Sequence, residues 1–233
     1  MRDAAGERIA LFPLASVLYP GLLLPLHIFE ERYRNLVADL VARPDEPGPR
    51  SFGVVAIRAG REVGAGVLGA AEAAPALHEV GCTAELRSVE AYPDGRFDIV
   101  TVGVRRFRLL ALDTSLSYLQ GQVQWLDEPA GGSPGELAAS VLRQYGAYRD
   151  TLTASQRRPR AGDALPADPE ALSYVVAASM VLDLGDRQSL LAATDTSTRL
   201  LLELGLLRRE AALLRVLPSL PAVDLARQPP SPN

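Results

Sequence analysis

The run LFPLASVLYPGLLLPLHIFE, Leu11 to Glu30, holds nineteen residues before its first charge. A helix of that length would cross a bilayer. Pro13, Pro20 and Pro25 break it, each costing about 3 kcal/mol inside a helix, and Gly21 adds a fourth interruption. A secretory leader fits no better, because the opening MRDAAGERIA is mixed in charge and proline interrupts the apolar stretch every few residues. The pattern predicts short extended pieces, Ile9–Phe12 and Leu22–Ile28, joined through a Pro20-Gly21 turn. With neither a targeting nor a spanning segment to be read, the expected location is cytoplasmic, with no membrane partner.

Such a chain needs a core, and 48 % apolar residues over 233 positions supply one. A net charge of −4 and a pI near 5.3 disfavour nucleic acid as a partner, since phosphate binding asks for a basic face. Cys82 is the sole cysteine, which excludes an internal disulfide. All 24 basic residues are arginine. Without lysine there is no G-x-x-x-x-G-K-[ST] phosphate loop, no Ser–Lys dyad and no Schiff base.

Residues 8–126 read mostly as strands. The exception is the helical stripe Tyr33, Leu36, Val37, Leu40, Val41, which starts near Glu30 and ends before Pro44. SFGVVAI is a strand, and 59–76 is a Gly/Ala-rich loop. TAELRSVEAY and RFDIVTVG flank a Pro93-Asp94-Gly95 hairpin turn, VRRFRLLAL is a further strand, and YLQGQVQWL alternates with period two. EPAGGSPGE (128–136) marks a boundary after which the period becomes helical. Ser133, Pro134 and Glu136 predict a capped helix to about Leu152, followed by a 154–167 loop. A second helix opens at Asp168-Pro169 and stops at Gly185, and Asp186 caps a third. Asp195-Thr196 caps a fourth running to about Leu217. The expected division is 1–128, rich in strands; 129–217, helical; and 218–233, a disordered Pro-rich tail.

The last helix carries two apolar stripes. Leu200, Leu204, Leu207, Ala211 and Leu214 form one. Leu202, Leu206, Leu213 and Leu217 form the other, with Glu203 and Glu210 along one flank. Burial of both stripes is the simpler reading; the alternative gives one stripe to a partner, with Leu202, Leu206 and Leu213 as the candidate polypeptide-binding residues.

Motifs with chemical overtones weigh less than their bland readings. GGSPG matches G-x-S-x-G around Ser133, but a Pro/Gly linker leads into it and both histidines, His27 and His78, come earlier in the chain. GAGVLG, at Gly64, Gly66 and Gly69, lacks a following helix and reads as a loop. His27, His78 and Cys82 have no zinc spacing, and His27 reads as a hydrogen-bonded core residue. Arg105, Arg106 and Arg108 read as a solvated or ion-paired strand face. No catalytic centre, metal or cofactor is expected.

LFPL, VLYPG and LPLHIFEERY (residues 11–14, 17–21 and 24–33), the HEVGCTAEL stretch (78–86), the Gly103, Arg106, Phe107, Arg108 pattern G-x-x-R-F-R, and RLLLELGLLRREAALL together resemble the N-terminal, substrate-binding domain of ATP-dependent Lon proteases. The resemblance covers about residues 8–217. It implies an α+β fold: a PUA-like β pseudo-barrel with one helix, then a C-terminal helical bundle. It also implies a stand-alone, non-catalytic polypeptide-binding or adaptor protein. Its partners would be unfolded or apolar polypeptide segments, within a protease or chaperone system. RNA binding is the alternative that PUA-like barrels suggest.

Overall fold

The computed structural model describes residues 7–42, 50–58, 76–156 and 165–216. Most of the Gly/Ala-rich 59–76 stretch, including Gly64, Gly66 and Gly69, lies outside the described residues, as do most of the 154–167 loop and the 217–233 tail.

Among the described residues six strands make one sheet: β1 (Glu7–Leu14), β2 (Leu23–Ile28), β3 (Ser51–Ala56), β4 (Val80–Ala91), β5 (Phe97–Asp113) and β6 (Gln120–Trp125). The order β2-β5-β4-β3-β1-β6, with β5 also paired to β6, closes five strands into a ring and leaves β2 as an extra strand on the N-terminal half of β5. Closure follows from the length of β5. Its first part pairs with β4 and β2, and its last part with β6. The sequence reads two strands here, split at Gly103; the structure has one continuous strand of 17 residues. Glycine at 103 serves a different need. Gly21 donates to its carbonyl, its own amide donates to the Leu22 carbonyl, and a Cβ there would sit 2.1 Å from the Tyr19 carbonyl oxygen. No side chain fits so close a crossing of two backbones.

The Pro20-Gly21 turn forms as expected, with Gly21 at φ +78°. It delivers β2 antiparallel to β5, with Leu24 opposite Thr101 and His27 opposite Asp98. Because Leu22 exchanges its carbonyl bond with Gly103, alternation turns the backbones of Leu24 and Leu26 toward β5 and those of Leu23, Pro25 and His27 toward the open edge. Proline thus occupies an edge position where its missing N–H breaks no ladder bond.

Inside the ring, Leu11, Val55, Ile57, Leu77, Phe107 and Val123 pack together. A larger core lies between the outside of the ring and the helices. The helix α1 (Glu31–Val41) buries Tyr33, Leu36 and Val37 there, and Phe12 stacks on Tyr33 with centroids 3.8 Å apart. The same core continues without interruption into Val141, Tyr148, Tyr174, Leu190 and Leu200 of the later helices.

Four helices follow among the described residues: α2 (Pro134–Gln156), α3 (Pro169–Ser179), α4 (Leu184–Ala192) and α5 (Thr196–Val216). α2 begins at Pro134 as read, but runs to Gln156 rather than stopping near Leu152. Asp168 caps α3 through the Ala171 amide, as its Asp-Pro-Glu start predicts. Gly185 does not end that helix. α3 stops at Ser179, and Gly185 sits in the first turn of α4, whose cap is Asp183, accepting from the Asp186 amide, rather than Asp186 itself. Asp195 caps α5 through the amide and hydroxyl of Thr198, in accord with the sequence.

Candidate functional site

Three candidate surfaces carry chemistry: an open sheet face on β2, β5 and β4, the seam between strands and helices, and the outer side of α5. At the open face, the hairpin register places Glu90 opposite Asp98, and β2 places His27 opposite Asp98 on the other side. One row of the sheet therefore reads Glu90, Asp98, His27, and the next reads Ser88, Val100, Pro25. These rows line a shallow groove of about 500 Å³. Leu23 (69 % exposed) extends the same face, and Phe29 (63 % exposed) lies 6.2 Å from the His27 ring. His27 Nδ1 and Asp98 Oδ1 are 2.5 Å apart, and Tyr92 donates to Asp98 Oδ2 at 2.6 Å. Those two hydrogen bonds, the tyrosine's first, hold the Asp98 carboxyl below the usual carboxylate range. His27 is thus hydrogen-bonded as read, but on the surface and not in the core; period-two alternation turns it to the side opposite buried Ile28.

The seam shows what the G-x-x-R-F-R pattern does here. Of the solvated or ion-paired strand face expected, Arg106 takes the ion-paired form: it is 1 % exposed and pairs with Glu128. Two residues of β5, Val104 and Arg105, face the single Thr83 between the Cys82–Arg106 and Ala84–Gly103 pairs, which makes a bulge. The Thr83 hydroxyl accepts from the Arg105 amide and donates to the Arg105 carbonyl, satisfying the interrupted ladder. Beyond the bulge, Phe107 enters the ring interior, and Arg106 points the opposite way, to the helices. Arg106 donates to the carbonyls of Leu191 (2.7 Å), Ala193 (2.6 Å) and Asp127 (3.1 Å) and pairs with Glu128. Arg199 of α5, fully buried, reaches the other Glu128 oxygen at 3.0 Å and lies 3.9 Å over the Tyr174 ring, whose hydroxyl also donates to Glu128. One carboxylate therefore ties β5, α3 and α5 together. Every polar atom named in this knot is engaged, so it reads as a structural clamp. Arg105 stays outside, 3.6 Å from Asp127 and 5.1 Å over Trp125, and Arg108 is exposed.

On α5, Leu200, Leu204 and Leu207 are buried, while Leu202 (41 %) and Leu213 (48 %) are exposed and Leu206 packs partly against the core. Leu201 is exposed beside Leu202, and Leu217 lies outside the described residues. Glu203, read as a flank residue, is fully buried, and neither carboxylate oxygen has a hydrogen-bond partner. Burial drives its carboxyl well above the usual range, only partly opposed by the Arg199 charge.

The remaining motif residues stay apart. Ser133 is exposed where α2 begins, and the residues before it are held to α5 by Thr196 and Ser197 amides donating to the Pro129 and Ala130 carbonyls, so no strand leads into it. Cys82 is buried, which pushes its thiol up to about 12. Among the described residues no group of three His, Cys, Asp or Glu side chains could hold a metal ion, and no helix is long and apolar enough to cross a membrane.

Residues 8–209 match the ATP-dependent protease La (LON) substrate-binding domain, and the chain belongs to that family. It is 30 % identical to Lon protease 2 of Syntrophobacter fumaroxidans, over 85 % of this chain and 24 % of that protein. It is 25 % identical to Lon protease of Escherichia coli K12, over 93 % of this chain and 27 % of that protein. The chain thus spans about a quarter of these relatives. Two solved structures share the fold: a Lon N-terminal domain protein from Xanthomonas campestris (TM-score 0.57, 24 % identity, 91 % of this chain and 99 % of that one) and the N-terminal domain of Mycobacterium avium complex Lon protease (TM-score 0.60, 15 % identity, 88 % and 98 %).

Proposed function

We propose that this chain is a non-catalytic polypeptide-binding protein that holds unfolded, apolar segments, as an adaptor within a protease or chaperone system. The observation that carries the reading is the open face of β2: Leu23 and Phe29 stand 69 % and 63 % exposed at the ends of a strand whose other side is packed, beside the groove over Pro25 and Val100. Large apolar groups grouped around a groove favour a binding surface over chance exposure. The family supports it, since a substrate-binding domain is what the chain matches. The exposed leucines of α5, Leu202 and Leu213, offer a second contact surface in the same reading. The RNA alternative has less behind it: Arg106 is consumed by the clamp, and the groove is rimmed by carboxylates. We further read the chain as a PUA-like pseudo-barrel, 1–128, and a helical bundle, 129–217.

The test is binding of a fluorescently labelled, permanently unfolded polypeptide to the wild type and to Leu23→Ser/Phe29→Ser. Each buried side chain is worth about 1.5–3 kcal/mol at most, so a loss of roughly tenfold or more is expected, with the unfolding midpoint unchanged. Undiminished affinity in this variant would remove the open face from the reading.

A further inference from the structure

We infer that the groove selects segments in which an apolar residue lies beside a basic one, with Glu90 as the group that reads the base. The inference rests on the polypeptide reading of this groove and adds a substrate class to it. Its starting point is an imbalance of charge. Glu90 and Asp98 are direct cross-strand neighbours on one face, an arrangement of like charges that a sheet ordinarily avoids. Asp98 is fully engaged, one oxygen with His27 and the other with Tyr92. Glu90 meets no cation within ion-pair distance among the described residues. Its charge is felt locally all the same, adding to the Asp98 hydrogen bond that raises the Tyr92 hydroxyl.

Among the described residues the nearby cations are already engaged: the Arg96 guanidinium is divided between Asp94 at 2.7 Å and His27 at 3.5 Å, Arg87 pairs with Glu85 at 3.0 Å, and the sequence has no lysine. A basic side chain on a ligand would supply a charge complementary to the exposed Glu90. The apolar half of the requirement is set by the neighbouring row, Pro25 and Val100, two residues along the strands from Glu90 and Asp98 on the same face. The mode of docking follows from the edge. A ligand adding a strand to β2 would find no N–H at Pro25, so it lies across the face and is read by its side chains.

The experiment uses the full chain and three fluorescein-labelled short peptides, identical and apolar except for one central residue: arginine, glutamine or glutamate. At low ionic strength the arginine peptide should bind roughly two- to fivefold tighter than the glutamine peptide, and the glutamate peptide more weakly than either. Glu90→Gln, an exposed change, should bring the arginine-to-glutamine ratio close to one, and added salt should do the same to the wild type. Equal binding of all three peptides by the wild type, or a ratio that survives Glu90→Gln, overturns the selectivity. If the peptides bind equally and Leu23→Ser weakens them all, the polypeptide reading stands and only the selectivity falls. If none binds, or a single-stranded RNA binds instead, both fall.

Discussion

Arg106 and Glu203 are both buried ionisable residues, and they differ in what surrounds them. Arg106 has four acceptors within the seam. Removing a buried partner of this kind strands the others, at about 3–5 kcal/mol. Arg106→Ala should lower the unfolding free energy by about that amount, while Arg105→Ala, one residue away and exposed, should stay within about 0.5 kcal/mol. Equal effects in denaturant titrations would contradict the clamp. Glu203 has no acceptor or donor at all. Its raised carboxyl means that the folded chain holds a proton which the unfolded chain releases at lower pH. The associated stability is whole below the ordinary glutamate range and is lost as pH rises through the folded value. Glu203→Gln should therefore match the wild type in acid and exceed it increasingly as pH rises. A stability difference that stays flat across the titration would count against a protonated Glu203.

Among the elements, α5 shows how far a pattern can be read. Its two leucine stripes are plain in the sequence, and so is its Asp195 cap. What the pattern lacks is the depth of each stripe, because that depends on α2 lying along one side. Leu207→Ala, at a buried position, should cost about 2–5 kcal/mol. Leu202→Ala and Leu213→Ala should leave the midpoint within about 0.5 kcal/mol of wild type and weaken polypeptide binding if this face is a second contact. Loss of stability in those two without loss of binding would return the face to a structural role. Other elements yielded unevenly for reasons that can be named. The Pro93-Asp94-Gly95 turn fixes its hairpin locally, so β4 and the first part of β5 are legible, and with them the row that lines the groove. Gly103 looks like a strand break because its role, making room for the Tyr19 carbonyl, involves a residue far away in sequence. Gly185 looks like a helix stop, yet Asp183 two residues earlier already starts the next helix. Arg106 could not be placed from sequence, because its acceptors lie at 127, 128, 191 and 193.

At the scale of the molecule, the proposed division at 128 meets a core that does not divide. Phe12, Tyr19 and Val54 from the strand-rich part share it with Tyr148, Tyr174 and Leu190 from the helices. Tyr19 also donates to the Arg187 carbonyl, and Gln188 to that of Val80. Cooperative unfolding of both parts is the expected outcome. The single tryptophan, Trp125, packs against the ring interior and reports on the strands, while far-ultraviolet circular dichroism reports chiefly on the helices. Their thermal midpoints should coincide. Two separated transitions would show that 1–128 and 129–217 fold as independent units.

The single long strand has a mechanical consequence. β5 reaches from Asp98 in the groove to Arg106 in the clamp without a break in its backbone, a span of about 25 Å at the usual rise per residue. A tug on a segment gripped at the groove would run along that strand, loading the bonds to β4 and β2 side by side in shear instead of opening them one after another. The far end of the spar is anchored by four hydrogen bonds from one guanidinium, two to the C-terminal end of α4 and two to residues 127 and 128 ahead of α2. A grip built this way can be weak in its hold on any one ligand and still be firmly mounted.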